Sequence, residues 1–238
     1  MRLTKSLFTV AALVAFTFNT IAAEEGFKPL FDGKTLTGWD GNPKLWSVKD
    51  GAITGVTGSD PETKINHNTF LVHKDEVSDF ELRFSYRIVA GNSGVQYRSK
   101  VTGKGAFGPK VGGYQGDFEA GATYSGILYD EGGVAGGRGV MCNRGEKVKW
   151  TADNKKEVAG KTEKSSAELQ AAIKKEDWNE FVIIAKGNKL THIINGNVTA
   201  EITDESPKAL KSGVLGLQIH VGPPMTVQFK NVRIKDLK

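Results

Sequence analysis

The chain has 238 residues, with 32 Lys and Arg against 27 Asp and Glu for a formal net charge of +5. The two signs are interspersed, which excludes the concentrated basic stripe of a nucleic-acid surface. Cys142 is the single cysteine, so no intramolecular disulfide can form and stability must come from packing.

The chain opens with Arg2 and Lys5 ahead of an apolar run from Leu7 to Phe18, followed by Ala22 and Ala23 and then Glu24 and Glu25. That layout predicts a signal peptide over residues 1–23, removed on export to a periplasm or the medium. The run is shorter than the ~20 residues of a membrane span, so no membrane association is expected after cleavage. Residues 24–238 are long enough to bury a core as one β domain.

GFKPLFDGKTLTGW, residues 26–39, places the turn Asp32-Gly33 between apolar Leu30, Phe31, Leu36 and Trp39. Trp46 to Ile53 reads as a short strand, residues 55–68 as a polar loop, and Phe70 to Val72 as a brief strand. From Phe80 to Val89, apolar Phe80, Leu82, Phe84, Tyr86 and Ile88 alternate with Glu81, Arg83, Ser85 and Arg87, predicting a strand with one buried face. Val95 and Tyr97 continue the apolar side, with Gln96 and Arg98 opposite. Val101 to Gly113 holds five glycines and a proline and reads as a long loop.

The next stretch, GYQGDFEAG (113–121), organises the rest. If extended, it sets Gln115, Asp117 and Glu119 on one face and Tyr114, Gly116 and Phe118 on the other. Thr123 to Tyr129 is a strand candidate, and Gly136 to Gly139 a flexible loop carrying Arg138. Ser165 to Lys175 is the one plausible helix, short and on the surface. Trp178 to Ala185, Lys189 to Ile194 and Val198 to Ile202 follow as strands, joined through Gly187-Asn188 and Asn195-Gly196. Gly213 to His220 puts Leu215, Leu217 and Ile219 on one side and Gln218 and His220 on the other, and Val227 to Ile234 closes the set. About a dozen strands and one helix predict an all-β sandwich or jelly roll.

The half-polar strands supply a candidate site of Gln96 and Arg98, of Gln115, Asp117 and Glu119, and of Gln218 and His220. Such a mixture suits a ligand with many hydroxyls, and Tyr114 or Tyr129 could stack on a sugar. By residue type Asp117 and Glu119 could act as acid and base or be solvated, and His220 could be a base, a metal ligand or simply hydrogen-bonded. No HExxH, CxxC or EF-hand pattern assigns a metal.

Five motifs in order, GFKPLFDGKTLTGW, GNSGVQYRS (91–99), GYQGDFEAG, WNEFVIIAKGNKLTHIINGN (178–197) and GVLGLQIHVG (213–222), resemble the 3-keto-disaccharide hydrolase family over nearly all of the mature chain. The resemblance implies a concanavalin-like jelly roll and cleavage of 3-keto-glycosides by base-promoted elimination and hydration, with an oxidised sugar as substrate. It implies Asp117 as the base, with Glu119 and His220 next. Gln96 and Arg98 would then contact the enolate or hydroxyls, and Tyr129, Glu131 and Arg138 would border the cleft. Gln115 stands where Glu is more frequent in the family. The resemblance assigns no cofactor and leaves a divalent metal open. A non-catalytic carbohydrate-binding module and a conventional glycoside hydrolase are the rival readings.

Overall fold

The computed structural model describes residues 24–237, so the expected signal segment lies outside the described residues. In chain order the strands are β1 (Lys28–Pro29), β2 (Trp39–Asp40), β3 (Trp46–Lys49), β4 (Ala52–Val56), β5 (Thr69–Val77), β6 (Phe80–Val89), β7 (Asn92–Gly105), β8 (Gly108–Glu119) and β9 (Leu128–Glu131). They continue with β10 (Val140–Cys142), β11 (Glu146–Trp150), β12 (Lys156–Lys161), helix α1 (Ser166–Ala171), β13 (Asn179–Lys186), β14 (Lys189–Ile194), β15 (Asn197–Asp204), β16 (Gly213–Ile219) and β17 (Thr226–Asp236).

Two sheets face each other. One runs β12-β11-β15-β14-β13-β6-β17-β4-β3, with β1 on β17, and the other runs β10-β9-β8-β7-β16-β5-β2. The inward face of β6 is as expected, with Phe80, Leu82, Phe84 and Tyr86 buried between the sheets, and on the opposite face Ser85 alone is also buried, hydrogen-bonded to Glu180. From the opposite sheet come Tyr97, Tyr114, Phe118 and Leu217. The Tyr86 and Phe118 rings stack with centroids 3.9 Å apart. Burying one such side chain contributes about 1.5–3 kcal/mol. Two of them contribute about 3–6 kcal/mol, no less than the ~2–4 kcal/mol typical of a disulfide, so packing can replace the bridge that the single cysteine Cys142, buried and free, cannot form.

Several segments differ from the sequence expectation. Thr123 to Tyr129 is a turn as far as Ile127, and its strand begins only at Leu128, while the brief strand at Phe70 to Val72 runs on to Val77. Val101 to Gly113 is not a loop: β7 and β8 continue as a two-stranded arm paired out to Gly105 and Gly108. Residues 100–104 of that arm are exposed, so no hydrophobic alternation marks it. Residues 140–161, where no strand was expected, form β10 to β12, and β12 is almost wholly exposed on a sheet edge. The helix is shorter than its propensity suggested, closed at its start by a Ser165–Glu168 capping box. Among the described residues, no helix is long and apolar enough to cross a membrane.

His192 is fully buried in the core and its Nδ1 lies 3.1 Å from Ile127 O. A carbonyl only accepts, so Nδ1 carries the proton, and Nε2 accepts from the Tyr97 hydroxyl at 2.9 Å. Burial pushes this imidazole down to about 4 from its ordinary 6.5. The unfolded chain therefore takes up a proton that the folded protein refuses between those two values. Folding stability should fall as pH drops through that window, by up to ~1.4 kcal/mol per pH unit. Urea unfolding at stepped pH should show this decline in the native protein and a flatter one in His192→Gln; equal slopes would refute the assignment.

Candidate functional site

The alternation that buries Tyr114, Gly116 and Phe118 of β8 turns Gln115, Asp117 and Glu119 to the outer face of their sheet. Strands β8, β7 and β16 are adjacent, with Gln96 opposite Gln115, Gly94 opposite Asp117 and Gly216 opposite Gln96. The glutamines expected to share a face therefore do. Together with the rims they bound a hollow of about 530 Å³, lined by Asn68, Asn92, Gln115, Asp117, Glu119, Tyr124, Tyr129, Glu131, Gly132, Val140 and His220. That size suits a small ligand.

Asp117 sits at the floor and is only 5% exposed. Burial pushes its carboxyl well above the ordinary carboxylate range; the Gln115 N–H draws it down, and Glu131 and Glu119 push it further up. Gln115 Nε2 donates to Asp117 Oδ1 at 2.6 Å and to Gln218 Oε1 at 3.3 Å, while Gln115 Oε1 accepts from Gln96 Nε2 at 2.6 Å. Gln96 and Gln218 are fully buried beneath the hollow and do not line it.

The rims come from loops. Glu119 Oε1 accepts the backbone N–H of Thr123 at 2.5 Å and of Tyr124 at 2.9 Å, so this carboxylate shapes the turn that carries Tyr124. Asn68 Nδ2 donates to Glu131 Oε1 at 2.8 Å while its Oδ1 accepts from Val221 N at 2.9 Å, tying opposite rims. His220 Nδ1 lies 2.6 Å from Val221 O and must donate to it, leaving Nε2 uncommitted. Burial raises the Tyr129 phenol, and Glu131 and Asp117 add to the shift, consistent with a shared volume.

Three residues expected at this site lie elsewhere. Arg98 has φ 49° at an irregularity where pairing shifts between Tyr97 and Lys100. The extra residue of this bulge breaks the two-residue period, and the guanidinium reaches Ser78 O, Gly187 O, Leu210 O and the Asp79 carboxylate instead. Tyr114 points into the sandwich, where its hydroxyl donates to Asp204 and accepts from Leu210 N. Arg138 also turns inward, with Nη1 and Nη2 on the two Asp204 oxygens at 3.0 and 2.8 Å and its guanidinium over Trp150. The GGRG segment is thus an anchored turn, closed further by Asp130, whose oxygens accept from Ala135 N and Arg138 N. Conversely, Asn68, Asn92 and Tyr124 line the hollow without having been singled out. The parity of Gln96 and Gly94 already places Asn92 on that face; Asn68 and Tyr124 sit on loops that carry no periodic signal.

The sequence profile of the 3-keto-alpha-glucoside-1,2-lyase-like domain matches residues 26–235. The chain belongs to this family. A 3-keto-disaccharide hydrolase of Bacteroides thetaiotaomicron is 32% identical over 96 residues, 37% of this chain and 32% of that protein. The match to this relative thus spans about a third of its length. A solved structure from Parabacteroides distasonis ATCC 8503, provisionally named a glycosyl hydrolase, superposes with a TM-score of 0.57 at 22% identity, covering 90% of this chain and 95% of that one. A carbohydrate-binding module from Bacillus subtilis superposes with a TM-score of 0.51 at 15% identity, covering 84% and 96%. At such identities the structural likeness is one of fold, and it is the jelly roll that the family resemblance implied. Members of the 3-keto-alpha-glucoside-1,2-lyase-like family are carbohydrate-active, and the hollow over Asp117 is the cavity on which the strand-borne amide and acids converge, other polar-lined cavities lying elsewhere on the surface. Among the described residues, no group of three His, Cys, Asp or Glu is placed to hold a metal ion.

Two stability predictions follow from the buried charges. The Arg138 and Asp204 side chains are 2% and 1% exposed, so Asp204→Ala leaves an uncompensated cation and should cost about 3–5 kcal/mol in chemical denaturation. Pairing it with Arg138→Met should recover much of that loss. For Asp117, a folded value above the ordinary 3.8 means that ionisation is easier in the unfolded chain. Its penalty is absent below that pH and grows as pH rises towards the folded value. Asp117→Asn should therefore gain stability relative to the native protein at pH 8 but not at pH 3.5, as read by differential denaturation.

Proposed function

We propose that this domain cleaves 3-keto-glycosides by base-promoted elimination followed by hydration, for net hydrolysis, with Asp117 as the base. The observation that carries the reading is the desolvated Asp117 carboxyl at the floor of an open polar hollow in a member of the 3-keto-alpha-glucoside-1,2-lyase-like family. A ketone at carbon 3 acidifies the hydrogen on carbon 2. A carboxylate of raised basicity removes it more readily than an ordinary one.

The Asp117 carboxylate takes the carbon 2 proton, and the C–H electron pair moves into the enolate. The enolate expels the glycosidic oxygen, breaking its bond to carbon 1 and forming the carbon 1–carbon 2 double bond. In its protonated form, His220 can give the departing oxygen a proton through Nε2. Water then adds its oxygen to carbon 1 and gives up one proton to His220 Nε2, restoring the proton lost to the leaving group, while the proton held by Asp117 returns to carbon 2. Asn68, Asn92 and Glu131 suit the sugar hydroxyls, and Tyr124 and Tyr129 offer ring faces. A two-carboxylate glycosidase is less well supported, since Glu119 Oε1 is committed to two backbone N–H groups. In this reading the predicted signal peptide would deliver the enzyme outside the cytoplasm, where extracytoplasmic oxidised sugars would reach it.

The test is incubation with a 3-keto-glucoside and with its unoxidised parent. Turnover of the keto form alone is expected. Turnover of both would point to a glycosidase, and binding without turnover to a carbohydrate-binding module. Asp117→Asn should reduce turnover by about 100-fold or more with folding intact; near-normal rates would remove Asp117 from the role of base.

A further inference from the structure

Beneath Asp117 lies a row of buried polar side chains that cannot touch a ligand. Ser99, Gln96 and Gln218 are each no more than 1% exposed. The Ser99 hydroxyl has three oxygens within reach, Gln96 Oε1 at 2.7 Å, Tyr97 O at 3.0 Å and Tyr114 O at 3.3 Å, and donates to the nearest. With Gln96 Oε1 so occupied, Gln96 Nε2 faces Gln115 and donates to its Oε1. Gln115 Nε2 is thereby directed at Asp117 Oδ1, with its second hydrogen on Gln218 Oε1. An ionised carboxylate only accepts, so the end of the row agrees with its beginning. Asp117 Oδ2 takes no hydrogen bond among the described residues and is not enclosed, so it is the oxygen left to the hollow.

Two glycines clear the space this row occupies. A Cβ on Gly94 would stand 2.6 Å from Gln115 Cγ, and one on Gly113 would stand 2.5 Å from Ser99 Oγ. Burying so many amide groups is costly unless each is hydrogen-bonded in a consistent direction. The row meets that condition except at Gln218 Nε2, which has no partner.

We propose that Ser99, Gln96 and Gln115 form a directional hydrogen-bond chain that holds one oxygen of Asp117 and presents the other, Oδ2, to the carbon acid. These are positioning residues, and the inference rests on Asp117 being the base. The chain stabilises the ionised form, so weakening it should make Asp117 harder to ionise. The charged or titratable groups around Asp117 are Glu119 on its own strand, Tyr124 on the connection to β9, Tyr129 and Glu131 on β9, and His220 beyond β16. None is altered by changes at positions 96 or 99.

The experiment uses Ser99→Ala, a mild change, and Gln96→Met, which removes the donor to Gln115. Carbon-13 NMR of the Asp117 carboxyl, without any substrate, should show its titration moved to higher pH, by about one unit in Gln96→Met. With a 3-keto-glucoside, kcat at pH 7 should fall about 10-fold while KM stays within about twofold, and the acid limb of the rate profile should move with the carboxyl. An Asp117 titration unchanged in Ser99→Ala, and in Gln96→Met if it folds, overturns the chain. A shifted titration in a protein that turns over no keto-glycoside upholds the chain and rejects the elimination reading.

Discussion

The stack of Phe118 on Tyr86, with centroids 3.9 Å apart, decides which way β8 faces. Side chains on a strand alternate with a period of two, so seating one ring between the sheets turns Asp117 and Glu119 outward without further instruction. A slip by one residue would exchange Phe118 for Asp117 in the core, a charge for a ring. The catalytic geometry proposed for the outer face is in this sense a by-product of how the inner face packs.

How much of this is legible in the sequence depends on whether a segment is buried on one side. β6, β8 and β16 show their alternation openly, and the convergence of Gln96, Gln115 and Gln218 follows from it once the strands are neighbours. Arg98 defeats the same reasoning because a bulge in β7 breaks the count just after Tyr97. Tyr114 was legible as a core-facing position from its parity with Phe118. Arg138 was not, since nothing in a glycine-rich segment announces Asp204, 66 residues away, as its partner. The edge strand β12 is invisible for a different reason: its residues bury almost nothing, and backbone pairing leaves no mark on composition.

Polar groups are distributed unevenly between the two faces of the seven-stranded sheet. Its inner face carries aromatic rings, and one of them, Tyr97, meets the buried imidazole of His192 from the opposite sheet, whose tautomer is fixed at both nitrogens. Its outer face carries amides and an acid that would destabilise the fold if left unpaired. A site so composed works against folding, and the aromatic core offsets it.

Arg98 joins parts of the chain that are far apart in sequence. Its guanidinium gathers the carbonyls of Ser78, Gly187 and Leu210, each from a different connection. Those connections all lie beyond one set of strand ends, whereas Asn68 and His220 lie beyond the other and Asn92 opens β7 there. The tie that joins the two sheets therefore stands at the far end from the hollow. A change in the loops around Asp117 leaves untouched the contact that fixes how one sheet lies on the other.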